Sequence, residues 1–369
     1  MSYWALYPSP MYLLSSLLML KEAPIVLGGM PSLTVGCLIP AYNEEETLTA
    51  TLDSLKKQSR NLDQIIVVDD CSTDKTGKIA ERYGVEVFRT SKNTGSKARA
   101  ENAALKMVTT DLVLTLDADT VLDKHAVRKI IQPFSDPKVK AACGFIMNRT
   151  SDSTWGKGRF IEYLFGQSLF KRAQTALSTP LVLSGCFSIF RTATLLEYGG
   201  LPEYTMAEDM DLTWMMLMNN EKLCFVEDAY AYPLDPESFE TYKKQVERWY
   251  RAFMQNLKRH MPNFSKSIKL GSLAIYNLFE GLIFPLFLGL ALLFSLYNPI
   301  ALPLFILSDL ILLLIPTLWR GWKLKKIKKC LMSIPNYYVN RFVNIYLFYK
   351  SFFKEMVLRD KLEIWEKGH

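Results

Sequence analysis

The sequence predicts an α/β domain on a mostly parallel sheet with helices on both faces, followed by membrane helices. Three observations predict it. Apolar runs alternate with helical segments from Leu33 to Leu116. Between Leu270 and Trp319 only Glu280 and Asp309 carry charge. Basic residues gather at both ends of that charge-poor stretch, from Arg248 to Lys269 before it and from Arg320 to Lys329 after it. Strands alternating with helices at short spacing form parallel units, and helices then cover both faces of the sheet.

Taken in order, Tyr12 to Leu20 is a short apolar stretch after Pro8 and Pro10, with no basic start and no small-residue cleavage site. It is expected to be a short anchoring or interfacial helix. Leu33–Ile39 reads as the first strand, and a helix follows from Glu44 with Leu48, Leu52 and Leu55 on one face. Gln64–Val68 is a second strand, followed by the Ser72-Thr73-Asp74 cap and a helix to Tyr83. Val85–Arg89, Lys97–Met107 and Leu112–Leu116 read as strand, helix and strand. In such sheets ligands sit beyond the carboxyl ends of the strands.

Five regions are expected: an N-terminal apolar segment 1–32, an α/β domain 33–237, amphipathic interfacial helices 238–269, a transmembrane hairpin 270–319, and a basic, amphipathic region 320–369. The hairpin segments, Leu270–Leu296 and Ile300–Trp319, each approach the ~20 residues that cross a bilayer. Basic flanks at both outer ends place the Tyr297-Asn298-Pro299 tip outside the cell and the α/β domain in the cytoplasm, a multi-pass arrangement at the cell membrane. Tyr337–Phe353 carries Arg341 and Lys350 and is expected in the interface.

With 49% hydrophobic and 22% charged residues, a sizeable core forms and disorder is excluded. The net charge of +7 sits beside the apolar stretch, which points to membrane lipid as partner and away from nucleic acid. Six dispersed cysteines without a CxxC pair suit a reducing compartment.

The chemistry-bearing residues cluster at strand ends. Pro40-Ala41-Tyr42-Asn43-Glu44-Glu45-Glu46 replaces the glycine-rich turn of a dinucleotide fold; its glutamates repel phosphate, so this loop suits a base or ribose. Taken alone, the glutamates also just favour a helix start. Val67-Val68-Asp69-Asp70 and Leu116-Asp117-Ala118-Asp119 put acidic pairs at two strand ends, where a hard divalent cation bridging to phosphate neutralises them. Lys97, just inside a helix after Asn93-Thr94-Gly95-Ser96, can reach a diphosphate. Glu208-Asp209 at a helix start suits a general base, although capping explains it equally. Gln245, Arg248 and Trp249 share one helix face, a set for diphosphate contact and stacking on a sugar ring.

In this order the motifs resemble family 2 glycosyltransferases of the processive polysaccharide-synthase branch, which includes cellulose, hyaluronan and poly-N-acetylglucosamine synthases. The resemblance runs from Leu33 to Arg259 and implies a GT-A-like catalytic domain. It implies that Pro40, Tyr42, Glu44, Asp70, Lys97, Asn102, Asp117, Gln245 and Arg248 hold a nucleotide-sugar, with UDP as the expected nucleotide. Asp119, with Asp117, would hold Mg2+ or Mn2+. Ser184-Gly185-Cys186 and Trp249 would lie beside the acceptor, with Gly185 and Cys186 as contacts, and Asp209, with Glu208, would deprotonate its hydroxyl. The implied reaction inverts the anomeric carbon and extends a β-linked polysaccharide. Alternatives are transfer of a single sugar to a polyprenyl-phosphate or other lipid, and a non-catalytic assembly subunit. The related synthases commonly have more membrane helices, so a partner subunit or oligomer is expected if product is translocated.

Overall fold

A computed structural model of the protein describes residues 31–149 and 152–362. The Tyr12–Leu20 stretch lies outside these residues. The four expected strands are present as β1 (Val35–Ala41), β2 (Gln64–Asp69), β3 (Glu86–Arg89) and β4 (Leu112–Leu116). β5 (Val121–Leu122), β6 (Val139–Ile146), β7 (Phe187–Arg191) and β8 (Lys222–Tyr232) complete a sheet ordered β3-β2-β1-β4-β7-β6-β8-β5.

The sheet is mixed, which corrects the expectation of a mostly parallel one. β3, β2, β1 and β4 are mutually parallel, but β7 runs antiparallel to both β4 and β6, and β5 antiparallel to β8. The cause is the chain path. Crossover helices return the chain to the starting edge between the first four strands. After β6, by contrast, the chain leaves from the ligand edge and re-enters there, so β7 must run backwards. Leu116 at the end of β4 therefore pairs with Phe187 at the start of β7. That reversal brings Ser184-Gly185-Cys186 beside Asp117.

Strand residues alternate between two cores, and both are dry because helices cover both faces. Val35, Cys37 and Ile39 of β1 join Leu112, Leu114 and Leu116 of β4 on one side. There they meet α1 (Leu48–Lys56), α2 (Thr76–Arg82) and α4 (Ala126–Ile130), with Leu48, Leu52 and Leu55 of α1 fully buried as the periodicity predicts. Leu38 and Val113 face the other core, made with α3 (Lys97–Leu105), α5 (Thr154–Phe165), α8 (Glu208–Met218) and α9 (Phe239–His260). A π-helical stretch, Gly166–Lys171, joins α5 to α6 (Arg172–Ala176), and α7 (Thr192–Glu197) follows β7.

The apolar segments form α10 (Ile268–Ser295) and α11 (Ala301–Lys323), with mean hydropathies of 2.1 and 2.2, each long enough to cross a membrane. Leu286, Leu290, Leu293, Leu304 and Ile311 are exposed, so these are not core helices of a soluble fold. α12 (Ile327–Phe352) joins this hairpin to the α/β domain. Asn340 donates to Trp155 O (3.1 Å) and Asn344 to Glu162 (2.8 Å) on α5, while Lys350 pairs with Glu247 on α9 (2.7 Å). Gly158 allows the first contact, since a Cβ there would stand 2.3 Å from the Asn340 amide. The opposite face of α12 exposes Val339, Phe342 and Tyr346. Both acids of the charge-poor stretch have partners. Tyr276 donates to Glu280 (3.1 Å), and Arg341 and Tyr338 of α12 both bond Asp309 of α11 (2.6 and 2.8 Å).

Candidate active site

One cavity of about 450 Å³ opens at the carboxyl edge of the parallel strands. One end is formed by the loop after β1. Asn43 takes a positive φ of 53°, which an asparagine tolerates, and its side-chain oxygen accepts from Thr73 N (2.9 Å). This ties the Pro40–Glu44 loop to the one after β2 and leaves Pro40, Tyr42 and Glu44 on the cavity wall. Asp70 also lines it, with its carboxylate accepting from Thr94 N (3.0 Å), Thr94 Oγ1 (2.9 Å) and Thr90 Oγ1 (2.9 Å). Asp69 is different: fully buried, it takes Ser72 N and pairs with Arg89, a structural role.

Gly95 turns the chain at φ 76°, and Ser96 caps α3 by accepting from Arg99 N (3.2 Å), so Lys97 starts that helix pointing into the cavity. Its ammonium pairs with Asp117, donates to Gly185 O (2.8 Å) and lies 3.9 Å from Glu208. Burial alone would depress its pKa, but the carboxylates of Asp117, Glu101 and Glu208 outweigh that and hold it well above the usual lysine value. Lys97→Met removes the cation facing a diphosphate and is expected to lower kcat about 10²-fold, read as nucleotide release. A loss of less than about threefold would remove Lys97 from leaving-group stabilisation.

Glu208 and Asp209 open α8. Asp209 accepts from Gly185 N (2.8 Å) and from Met210 N (2.7 Å), so Gly185 is held between the proposed base and Lys97. A Cβ on Gly185 would stand 3.3 Å from both side chains. Burial and the Asp209 charge raise the pKa of Glu208, opposed by Lys97 and Arg248. Gln245, Arg248 and Trp249 on α9 also line the cavity, as does Cys186. Burial pushes the Cys186 thiol well up, which keeps it protonated and unreactive.

Asn102 does not line the cavity. Its amide donates to Leu201 O and accepts from Leu201 N, both at 2.8 Å, and so ties α3 to the loop before α8. Three groups that the motifs did not single out belong to the site. Tyr163 of α5 and Leu234 after β8 also line the cavity. Glu101, one turn beyond Lys97, is 1% exposed and has no hydrogen-bond partner on either oxygen, and burial pushes its pKa well above the usual carboxylate range. A carboxylate on the buried face of a helix is visible in the α3 sequence, but only once that face is known.

Asp117 and Asp119 both line the cavity, and Thr120 Oγ1 donates to Asp119 (3.0 Å). Among the described residues no three His, Cys, Asp or Glu side chains come together to enclose an ion. Two carboxylates on an open wall suit Mg2+ or Mn2+, which take the rest of their shell from phosphate and water. The donor set therefore fits a metal shared with a nucleotide and no preformed cage.

A family model described as glycosyl transferase family 2 matches residues 37–199. The chain is 30% identical over 263 residues to the poly-β-1,6-N-acetyl-D-glucosamine synthase of Staphylococcus aureus (strain COL), covering 70% of this chain and 63% of that protein. It is 29% identical over 249 residues to the synthase of the same name from Staphylococcus epidermidis, covering 66% of this chain and 60% of the relative. It thus spans less than two thirds of the length of these relatives. Among solved structures, a mannosyltransferase from Pyrobaculum calidifontis in complex with GDP-Man and Mn2+ shares the fold, with a TM-score of 0.63 at 19% identity over 84% of this chain and 94% of that one. Residues 37–199 therefore form a glycosyl transferase family 2 domain, and the chain has a GT-A-like α/β fold.

Proposed function

We propose that this protein is a membrane-bound inverting glycosyltransferase that moves a sugar from a UDP-sugar onto a growing β-linked polysaccharide. The observation that carries the proposal is one cavity lined by Asp70, Lys97, Asp117, Asp119, Asp209, Arg248 and Trp249, residues from five segments of chain. Tyr42 and Asp70 receive the nucleoside, and Lys97 and Arg248 face the diphosphate. Asp119 and Asp117 would hold a divalent metal, Mg2+ or Mn2+, which would supply positive charge beside the leaving diphosphate. Asp209 takes the proton from the acceptor hydroxyl, whose oxygen attacks the anomeric carbon as the bond to the diphosphate breaks and UDP leaves. Cys186, Gly185 and Trp249 hold the acceptor sugar. The exposed apolar hairpin sits in the cell membrane with its basic flanks on the cytoplasmic side, where the donor is made.

Support for a polysaccharide acceptor comes from the likeness to the staphylococcal synthases. The test is a screen of UDP-sugars with Mn2+ or Mg2+ on purified membranes, reading UDP release and product mass. One donor is expected to release UDP and to give a ladder of products. A single added sugar on a polyprenyl-phosphate would select the lipid acceptor, and no turnover with any donor would overturn the reading.

A further inference from the structure

Arg159 of α5 belongs to none of the motifs, yet it holds two of the three α9 residues that face the cavity. It is 2% exposed. One guanidinium nitrogen pairs with Glu162 at 2.7 Å and the other donates to the side-chain oxygen of Gln245 at 3.0 Å. The guanidinium plane also lies 4.6 Å from the Trp249 ring centre and 4.7 Å from that of Tyr242. Gln245 and Trp249 are one helical turn apart, so one planar cation between them meets both. Glu162 is fully engaged as well: its other oxygen accepts from Tyr242 OH (3.0 Å) and from Asn344 of α12 (2.8 Å).

A guanidinium can donate in its plane and stack through its face at once; an ammonium cannot. Donation to Gln245 fixes the flip of that amide, leaving its NH2 as the group offered to substrate. Stacking fixes the tilt of Trp249, the platform for the acceptor ring. Neither contact reaches the nucleotide end, where Tyr42 and Asp70 lie.

We propose that Arg159 is a positioning residue for the acceptor half of the cavity, setting the Gln245 amide and the Trp249 ring so that a sugar hydroxyl, and not water, attacks the donor. This rests on the glycosyl-transfer reading above. When the platform loosens, water attacks the anomeric carbon instead, giving UDP and free sugar. The informative quantity is therefore sugar incorporated per UDP released, a ratio that the fraction of folded protein does not change.

The full chain in detergent is given UDP-N-acetylglucosamine and Mn2+, with UDP release and labelled product measured together. Two variants are compared. Arg159→Lys keeps the charge. Arg159→Met with Glu162→Gln removes both charges, and the new amide oxygen keeps the Tyr242 and Asn344 bonds. In both, the ratio is expected to fall on the order of tenfold. In 5-fluorotryptophan-labelled protein, the ¹⁹F line of Trp249, assigned by its loss in Trp249→Phe, is expected to shift and broaden. A wild-type ratio with an unmoved ¹⁹F line overturns the proposal. A wild type that releases no UDP from this donor counts against the donor assignment instead, and the ¹⁹F line still decides the role of Arg159.

Discussion

Asp209→Asn is expected to lower turnover about 10³-fold while leaving UDP affinity nearly unchanged, because a general base commonly contributes about 10²–10⁴. The substitution is nearly isosteric, and the amide oxygen still accepts from one of the two N–H groups that Asp209 now takes, Gly185 N or Met210 N. What disappears is a carboxylate able to receive the acceptor proton. The nucleotide loops, anchored by Asn43 to Thr73 and by Asp70 to Thr94, are untouched. UDP release reads the rate, and calorimetric titration with UDP reads the binding. Turnover within a few-fold of wild type would remove Asp209 as base. If the large loss moved to Glu208→Gln, the neighbouring carboxylate would inherit the role.

The catalytic half was legible because its chemistry sits at strand ends, and strand ends are marked by where an apolar run stops. Val68-Asp69-Asp70 and Leu116-Asp117 mark two such ends: Asp70 and Asp117 line the cavity, while Asp69 turns inward and pairs with Arg89. Convergence of Glu208-Asp209 and Gln245-Arg248-Trp249 on the same cavity could not be read from local pattern. It depends on the reversal at β7, and a five-residue strand gives no sign of its direction. Asn102 misled for the opposite reason: helix spacing fixes which face a residue occupies, not what that face meets. It meets Leu201, brought there by the Gly199-Gly200 turn with φ of 79° and 93°. Arg159 was illegible because a buried arginine looks like any other arginine in a helix until its carboxylate partner is known.

The two acids of the apolar stretch bear on stability, and Arg341→Met should be the most damaging substitution outside the cavity. Asp309 is 4% exposed, and one of its oxygens has no hydrogen-bond partner even in the intact pair. Removing the guanidinium leaves that carboxylate buried with only Tyr338 OH, a loss of about 3–5 kcal/mol. The thermal midpoint of the protein in detergent should fall by several degrees. Asp309→Asn added to Arg341→Met removes the stranded charge while keeping an acceptor for Tyr338, and most of the lost stability should return, since replacing a buried pair as a whole is often close to neutral. A single variant melting with the wild type would mean that water reaches Asp309 and that the pair is not enclosed. UDP release should fall along with the midpoint, because α12 carries Arg341 and, about one turn later, Asn344, which holds the Glu162 partner of Arg159. Recovery of both in the double variant, from a change made at the hairpin, would tie seating of α12 to order at the acceptor end of the cavity.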